Sequence, residues 1–229
     1  MQAKSDRLAA VRRDGVKPSR RPGAGTRLPH ATRRAQILAK ASEFFAEYGL
    51  TAQTRALAEV CGVSQRLLYS FFPSKAALIE EVYRSEIAGP FKAVWIAQLE
   101  DRTRPVADRL VTFYRDYYEG VLTRRWLRLF LYASLADVAM APTYITAILS
   151  NMLETIVTEA AAERGLALPR DKARLQEIGW VLHGAVSHLA IRRLIYGNTN
   201  PIAPEEVIAM QVRSFLAGLP SLLPQARAA

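Results

Sequence analysis

The sequence has few of the side chains that bind metals or form covalent cross-links. Its 229 residues include one cysteine and three histidines. A single thiol, Cys61, excludes a disulfide within the chain and a zinc site of several thiolates, and it favours a reducing compartment. Three histidines leave few ligands for a metal. We therefore expect no metal site and no cofactor.

Long apolar runs and a secretion signal are also missing. The most apolar stretch, residues 126–140, is interrupted by Arg128 and Asp137, so it falls short of the roughly 18 consecutive apolar residues of a membrane span. The charged N-terminal residues are not followed by the apolar block of a signal peptide. These absences predict a soluble cytoplasmic protein with no membrane partner.

Acidic residues are outnumbered by basic residues. The chain has 31 Lys and Arg against 21 Asp and Glu, a formal net charge of +10, which favours a polyanionic partner. Residues 1–32 hold eight of the basic residues, two of the acidic ones, three Pro and three Gly. With so little apolar surface to bury, this segment cannot offset the entropy lost on ordering. We predict a flexible basic arm over residues 1–32.

Two interpretations of the arm remain open. It is either a solvated tail, or an arm that contacts nucleic acid. In the second case Arg27, Arg33 or Arg34 would reach a phosphate or the minor groove.

The rest of the sequence has helical periodicity. Apolar residues recur at helical spacing from Ile37 to Tyr48, Gly49 ends that helix, and Ser64 and Ser74 are suited to cap the helices that follow. Further helices are expected at residues 74–101 (with a break at Gly89 and Pro90), 105–123, 125–137, 142–164, 171–196 and 204–222. Since no period-two pattern appears, the fold class is all-α.

Three short helices within residues 33–72 predict a helix-turn-helix. Its recognition helix would run from Ser64 to Phe72, with Val63, Leu68 and Phe72 on the buried face. The exposed face would hold Gln65, Arg66, Leu67, Tyr69, Ser70 and Phe71. A tight helical hairpin can equally be a core element of any all-α protein.

Residues 34–78, above all the stretch GVSQRLLYSFFPSKAAL, resemble the N-terminal DNA-binding domain of the TetR family (TetR/AcrR-like) of bacterial transcriptional regulators. The resemblance implies a homodimer that binds double-stranded DNA at a palindromic operator and represses until a small molecule enters the C-terminal domain. The implied organisation is a basic arm over 1–32, a helix-turn-helix domain over 33–78, and a helical effector-binding and dimerisation domain over 79–229.

The resemblance also assigns DNA contacts. It implies that Thr54 and Arg55 touch phosphate and sometimes a base edge, and that Tyr69 and Lys75 touch phosphates. Gln65, Arg66 and Leu67 occupy the positions that read bases, where these side chains suit adenine, guanine and a thymine methyl respectively. Two positions depart from the family pattern: Gln53 replaces the usual capping Thr, and Phe71 replaces a residue that is often His.

The C-terminal residues predict an effector pocket and a dimer interface. Aromatic residues crowd the middle of the chain, and most of them suit a core. A pocket for an apolar or aromatic effector between the helices would draw on Tyr114, Tyr118, Phe130, Asn151 and His183. The last two helices have long apolar faces, which predicts a four-helix interface with the same helices of a second subunit.

Two other functions compete with this interpretation. A helical enzyme is disfavoured because the sequence has no Ser-His-Asp spacing, Gly-rich phosphate loop or metal-ligand cluster, so we expect no catalytic residues. A nonspecific basic binder of nucleic acid or anionic membrane, driven by the arm, is the alternative that the charge allows.

Overall fold

The structure is a computed structural model that describes residues 29–136 and 143–225. It divides into two compact units, residues 1–33 and residues 34–229. Residues 29–33 are the only part of the first unit that is described, so residues 1–28 of the predicted arm lie outside the described residues.

The described residues are helical, and they include no strand beyond an isolated bridge between Leu166 and Gln225. The all-α fold class is therefore confirmed. The helices are α1 (His30–Tyr48), α2 (Thr54–Cys61), α3 (Gln65–Phe71), α4 (Lys75–Val82), α5 (Val94–Glu100), α6 (Val106–Gly120), α7 (Arg124–Leu135), α8 (Ser150–Glu163), α9 (Lys172–Leu194) and α10 (Pro204–Leu222).

Short polar side chains fix where several helices begin. The hydroxyl of Ser64 accepts a hydrogen bond from the Leu67 amide at 3.1 Å, and that of Ser74 accepts from the Ala77 amide at 3.0 Å. Each bond pairs an amide that has no partner inside the helix. The predicted caps Ser64 and Ser74 are confirmed. Gln53 precedes α2 without a side-chain cap bond, which matches its departure from the family pattern.

Two π-helical turns interrupt stretches that the sequence predicts as α-helix. They span Tyr83–Ala88 and Ile145–Leu149. Val82 and Ile87 are both fully buried although they are five residues apart, a spacing that an α-helix would place on different faces. The π turn brings them to one face through its i→i+5 pattern, with the Gly89 amide donating to the Arg84 oxygen at 2.9 Å. A search for α-helical spacing cannot detect such a turn.

The N-terminal helices pack around a small apolar core. Ile37 and Phe45 of α1, Leu57 of α2, Leu68 of α3 and Phe72 are all at most 2% exposed. α1 and α2 together therefore support α3 from one side only, and its opposite side is left to solvent.

The C-terminal helices form a bundle in which α8 packs on α9, and α6 and α9 pack on α10. The crossing of α8 and α9 is close because Gly179 has no side chain. A Cβ at Gly179 would lie 2.8 Å from the Cβ of Leu153. This residue sets how near the two helices can approach.

A buried ion pair ties α8 to α6. Arg109 and Glu159 are 3% and 6% exposed, and their Nη1 and Oε2 atoms are 3.0 Å apart. Arg102 donates to both carboxylate oxygens of Glu159, at 3.0 and 2.9 Å. These bonds hold the pKa of Glu159 below its ordinary value, chiefly through Arg102. The pair is well satisfied, which a buried charge requires.

None of the described helices combines the length and the apolar character that crossing a bilayer requires.

Candidate nucleic-acid interface

The tight turn between α2 and α3 sets the angle of the predicted recognition helix. Gly62 ends α2 in the left-handed region, with φ of 68°, which L side chains rarely adopt. The next amide, that of Val63, donates to the Ala58 oxygen at 3.0 Å. Two residues after Gly62, Ser64 caps α3. The turn between two helices of a helix-turn-helix is thus built by three consecutive residues.

The predicted buried and exposed faces of α3 are largely as expected. Leu68 is buried and Val63 half-buried, whereas Gln65, Arg66, Leu67, Tyr69 and Ser70 are exposed. Leu67 is 40% exposed, which is high for a leucine beside a core. Phe71 differs, because it is half-buried and packs against the core. One helix face therefore presents amide, guanidinium and methyl groups together.

Tyr69 and Lys75 lie beside the start of α2. The Tyr69 hydroxyl donates to the Thr54 hydroxyl at 3.2 Å, and the Lys75 ammonium donates to the Ala52 oxygen at 2.8 Å. Partial burial lowers the pKa of Lys75, and Tyr69 opposes that shift. Hydroxyls and an ammonium at helix N-termini are the donors that phosphates accept.

The remaining predicted DNA contacts lie around this face. Arg55 is exposed and its Nε is 3.5 Å from Glu59 Oε1 one turn along α2. Arg33 is half-buried on α1. Arg34 is engaged elsewhere, since its Nη2 is 3.1 Å from Glu81 Oε2 and its guanidinium lies 4.8 Å from the centroid of the Phe72 ring. Arg34 thus links α1 to α4 and to the end of α3.

Cys61 belongs to the core of this domain. It is 7% exposed, with its sulfur 3.9 Å from the Ile37 oxygen. Burial raises the pKa of its thiol, so the thiolate that reacts with oxidants is disfavoured.

The predicted effector residues fall into three environments. Tyr114 and His183 are buried, Tyr118 and Phe130 are half-buried, and Asn151 is exposed on α8. Contacts between rings run from Phe130 to Tyr144 at 5.9 Å and from Tyr117 to His183 at 5.6 Å, with the hydroxyls of Tyr144 and Tyr117 3.2 Å apart. Burial lowers the pKa of His183 from 6.5 to about 4. Asn151 stays outside this buried cluster.

Residues 37–82 match the sequence model of a family described as bacterial regulatory proteins, tetR family. The chain carries a TetR-family DNA-binding domain. The resemblance drawn from the sequence is therefore confirmed, and so is the DNA-binding helix-turn-helix.

Solved TetR-family structures share the fold of this chain over most of its length. A TetR-like transcriptional regulator from a Rhodococcus species superposes with a TM-score of 0.63 at 20% identity, over 84% of this chain and 100% of that one. AmtR of Mycobacterium smegmatis superposes with a TM-score of 0.58 at 22% sequence identity, over 90% of this chain and 95% of AmtR. A tetR-family regulator from Streptomyces coelicolor superposes with a TM-score of 0.55 at 18% sequence identity, over 85% of this chain and 82% of that one. No curated protein sequence matches the chain.

The C-terminal part beyond the TetR domain has an apolar surface groove on its last two helices. Val181 of α9 and Met210 and Leu222 of α10 are 55%, 37% and 36% exposed, and they line the groove together with Ala185 and Phe215. Large apolar side chains exposed side by side mark an interaction surface.

Sequence reasoning missed the residues that join the TetR domain to the bundle. Arg128 of α7 donates to the main-chain oxygens of Ala46 and Glu47 at the end of α1. The indole of Trp126 donates to the Ile87 oxygen at 3.2 Å. The sequence signal for this contact is Arg128 itself, a charge inside an apolar run.

Proposed function

We propose that the chain is a sequence-specific transcriptional regulator of the cytoplasm, which binds a palindromic operator as a homodimer and is released by a small-molecule effector. The observation that carries this proposal is the exposed face of α3, where Gln65, Arg66 and Leu67 are adjacent while Leu68 anchors the helix in the core. Buried support and an exposed polar face are what a helix needs to read the major groove.

The chemistry of these three side chains suits base edges. Arg66 would donate to guanine O6 and N7, Gln65 would pair with adenine, and Leu67 would pack on a thymine methyl. α3 has seven residues, so it is about 10 Å long, and with its side chains it is about 10–12 Å across, which a major groove about 12 Å wide admits. Ser64, Ser70 and Phe71 border this face. The two serine hydroxyls would contact the neighbouring backbone, and the half-buried Phe71 would reach it only with the exposed edge of its ring.

Phosphate contacts would fix the helix in the groove. Thr54, Arg55, Tyr69 and Lys75 lie at or near the starts of α2 and α4, where free amides also favour an anion. Such contacts set the register on the duplex but carry no sequence information. Arg33, and Arg34 if it leaves Glu81, would extend the contact along α1.

A single α3 covers only half of an operator. A two-fold dimer presents two such helices to half-sites about one turn, roughly 34 Å, apart. The apolar groove of α9 and α10 supports a four-helix interface between two copies, because solvent would otherwise meet Val181, Met210 and Leu222.

The aromatic cluster of the bundle supports an apolar or aromatic effector. The half-buried Phe130 ring is 5.9 Å from the fully buried ring of Tyr144, and Tyr118 is half-buried against the core, so a ligand would exchange contacts with side chains on several helices. An effector releases DNA only if it binds better to a conformation that does not fit the operator.

The test is selection of genomic fragments by the full-length protein, followed by mobility-shift competition with the selected site and with random DNA. A specific regulator should prefer its site by roughly a thousandfold or more, and a two-fold repeat should emerge from the fragments. The alternative, a nonspecific basic binder, predicts little preference and a steep salt response.

Deleting residues 1–30 separates the two interpretations of the arm. If the arm contacts DNA, its loss lowers the slope of log affinity against log salt concentration, because fewer counterions are released. An unchanged slope would mean that the arm is a solvated tail that does not contact DNA.

A further inference from the structure

Two of the buried polar atoms that have no hydrogen-bond partner among the described residues belong to neighbouring rings in the core of the C-terminal bundle. They are the hydroxyl of Tyr114 on α6 and Nδ1 of His183 on α9. Tyr114 is 0% and His183 2% exposed, and their ring centroids are 6.1 Å apart. Buried polar atoms are paired in nearly all cases. Two unpaired atoms on neighbouring rings therefore point to a third group that pairs with both.

Other polar atoms around this position are satisfied. Nε2 of His183 is 3.3 Å from the Ser187 hydroxyl, and the hydroxyls of Tyr117 and Tyr144 are 3.2 Å apart. Within this group of rings the unpaired atoms therefore belong to Tyr114 and His183, and the other buried unpaired atoms of the described residues are Arg193 Nε and Gln211 Oε1. Because burial lowers the pKa of His183 to about 4, the imidazole is uncharged at neutral pH and offers no cation to an acid.

Aromatic rings surround the two atoms. Phe113 is 4.9 Å from Tyr114, and Trp180 is 5.2 Å from His183 between ring centroids. Trp180 is half-buried, whereas Phe113 is fully buried. Trp180 is therefore a partly exposed ring in contact with His183, and the edge-to-face contacts of these rings favour an aromatic guest.

We propose that Tyr114 and His183 form the polar recognition point of a buried site for an uncharged aromatic alcohol of the phenol class. One hydroxyl both donates and accepts, so it satisfies both atoms at once. A hydrocarbon leaves both unpaired, and a carboxylate brings an uncompensated charge into the core. The inference rests on the proposed function, because it places the effector site in the C-terminal bundle.

The test uses the full-length protein at pH 7 with three matched probes: 4-methylphenol, toluene and 4-methylbenzoate. Titration calorimetry gives the affinities, and the ring nitrogen shifts of ¹⁵N-labelled histidine report contact with His183. We expect saturable binding of 4-methylphenol with a shift at Nδ1 of His183. The affinities for toluene and 4-methylbenzoate should each be lower by a factor of about ten or more, because each of these probes loses roughly one hydrogen bond.

Tyr114→Phe removes the hydroxyl and keeps the ring, so it should weaken 4-methylphenol about tenfold and leave toluene unchanged. Tyr196→Phe, which removes the hydroxyl of an exposed ring just after the end of α9, is the matched control and should bind like the parent. Absence of saturable 4-methylphenol binding, equal affinity for toluene, or an unchanged affinity in Tyr114→Phe would each overturn the inference.

Operator binding measured without any probe distinguishes a failure of the phenol site from a failure of the proposed function. Specific DNA binding without phenol binding removes the inference and leaves the proposed function. Phenol binding by a protein that has no sequence preference removes the proposed function and leaves the site.

Discussion

The guanidinium of Arg128, on α7, donates to the main-chain oxygen of Glu47, near the end of α1, at 2.8 Å. It also donates to the Ala46 oxygen and, at 3.0 Å, to the Tyr132 hydroxyl. The last carbonyls of an α-helix have no partner within the helix. A residue 81 positions away thus caps the first helix of the TetR domain and couples that domain to the bundle.

Arg128→Ala should lower the free energy of unfolding by about 1–3 kcal/mol, because it leaves helix carbonyls without their charged donor. Denaturant unfolding measures the change. Arg124→Ala is the control, since Arg124 forms only an exposed ion pair with Glu47 at 3.7 Å, which contributes less than about 1 kcal/mol. Equal losses in the two variants would contradict the capping role.

Arg66→Ala should weaken binding to the selected operator by about 1–3 kcal/mol, because a two-pronged contact to a base is lost. Binding to random DNA should change much less. The control Arg170→Ala removes one exposed positive charge far along the chain and should leave the ratio of operator to random affinity unaltered. Mobility shifts with operator and random DNA measure both affinities. An equal loss of affinity for the two DNAs would mean that Arg66 contacts the DNA backbone and not a base.

Tyr69→Phe should weaken operator and random DNA by the same factor, about fivefold, since a phosphate hydrogen bond of about 1 kcal/mol carries no sequence information. Tyr48→Phe provides the comparison, as Tyr48 is 48% exposed at the end of α1. Fluorescence anisotropy on both DNAs measures the effect. A loss confined to the operator would make Tyr69 a base-reading residue instead.

Val181→Glu should convert a dimer into a monomer, because two charges would meet at the two-fold axis of the proposed interface without partners. Sedimentation velocity at micromolar concentration reports the mass. Val60→Glu introduces the same charge at a 50% exposed position of α2 and should remain dimeric. If the parent protein itself sediments as a monomer, the interface is wrong.

Stability should fall as the pH drops from about 6.5 to about 4, through His183. Its folded-state pKa of about 4 lies below the ordinary 6.5, so the unfolded chain binds a proton first. The stabilisation is complete above pH 6.5 and decreases by about 3 kcal/mol by pH 4.

Denaturant unfolding across this pH range tests the contribution of His183. His183→Gln should flatten the dependence, whereas His188→Gln, at an exposed position of the same helix, should follow the parent curve. A parent stability that stays constant from pH 7 to pH 4 would show that His183 does not titrate as stated.

Local patterns predicted most of the helices and the face of α3. The caps Ser64 and Ser74 and the break at Gly89 depend on neighbours within a few residues, which a sequence displays directly. The π turn at Tyr83–Ala88 was not predicted, because its extra residue per turn looks like a slip in helical spacing. The contacts of the Arg34 guanidinium with Glu81 and Phe72 were not predicted either, and the contact of Arg34 with DNA stays a prediction.

By itself the sequence determined which residues form helices and which side chains α3 presents, because periodicity, caps and turn residues act over short distances. Only the tertiary structure decided what Arg128 caps, which atoms of Tyr114 and His183 are left unpaired, and how closely α8 approaches α9 at Gly179. Those outcomes depend on pairs of residues that are far apart in the chain, and such pairs meet only when the helices pack.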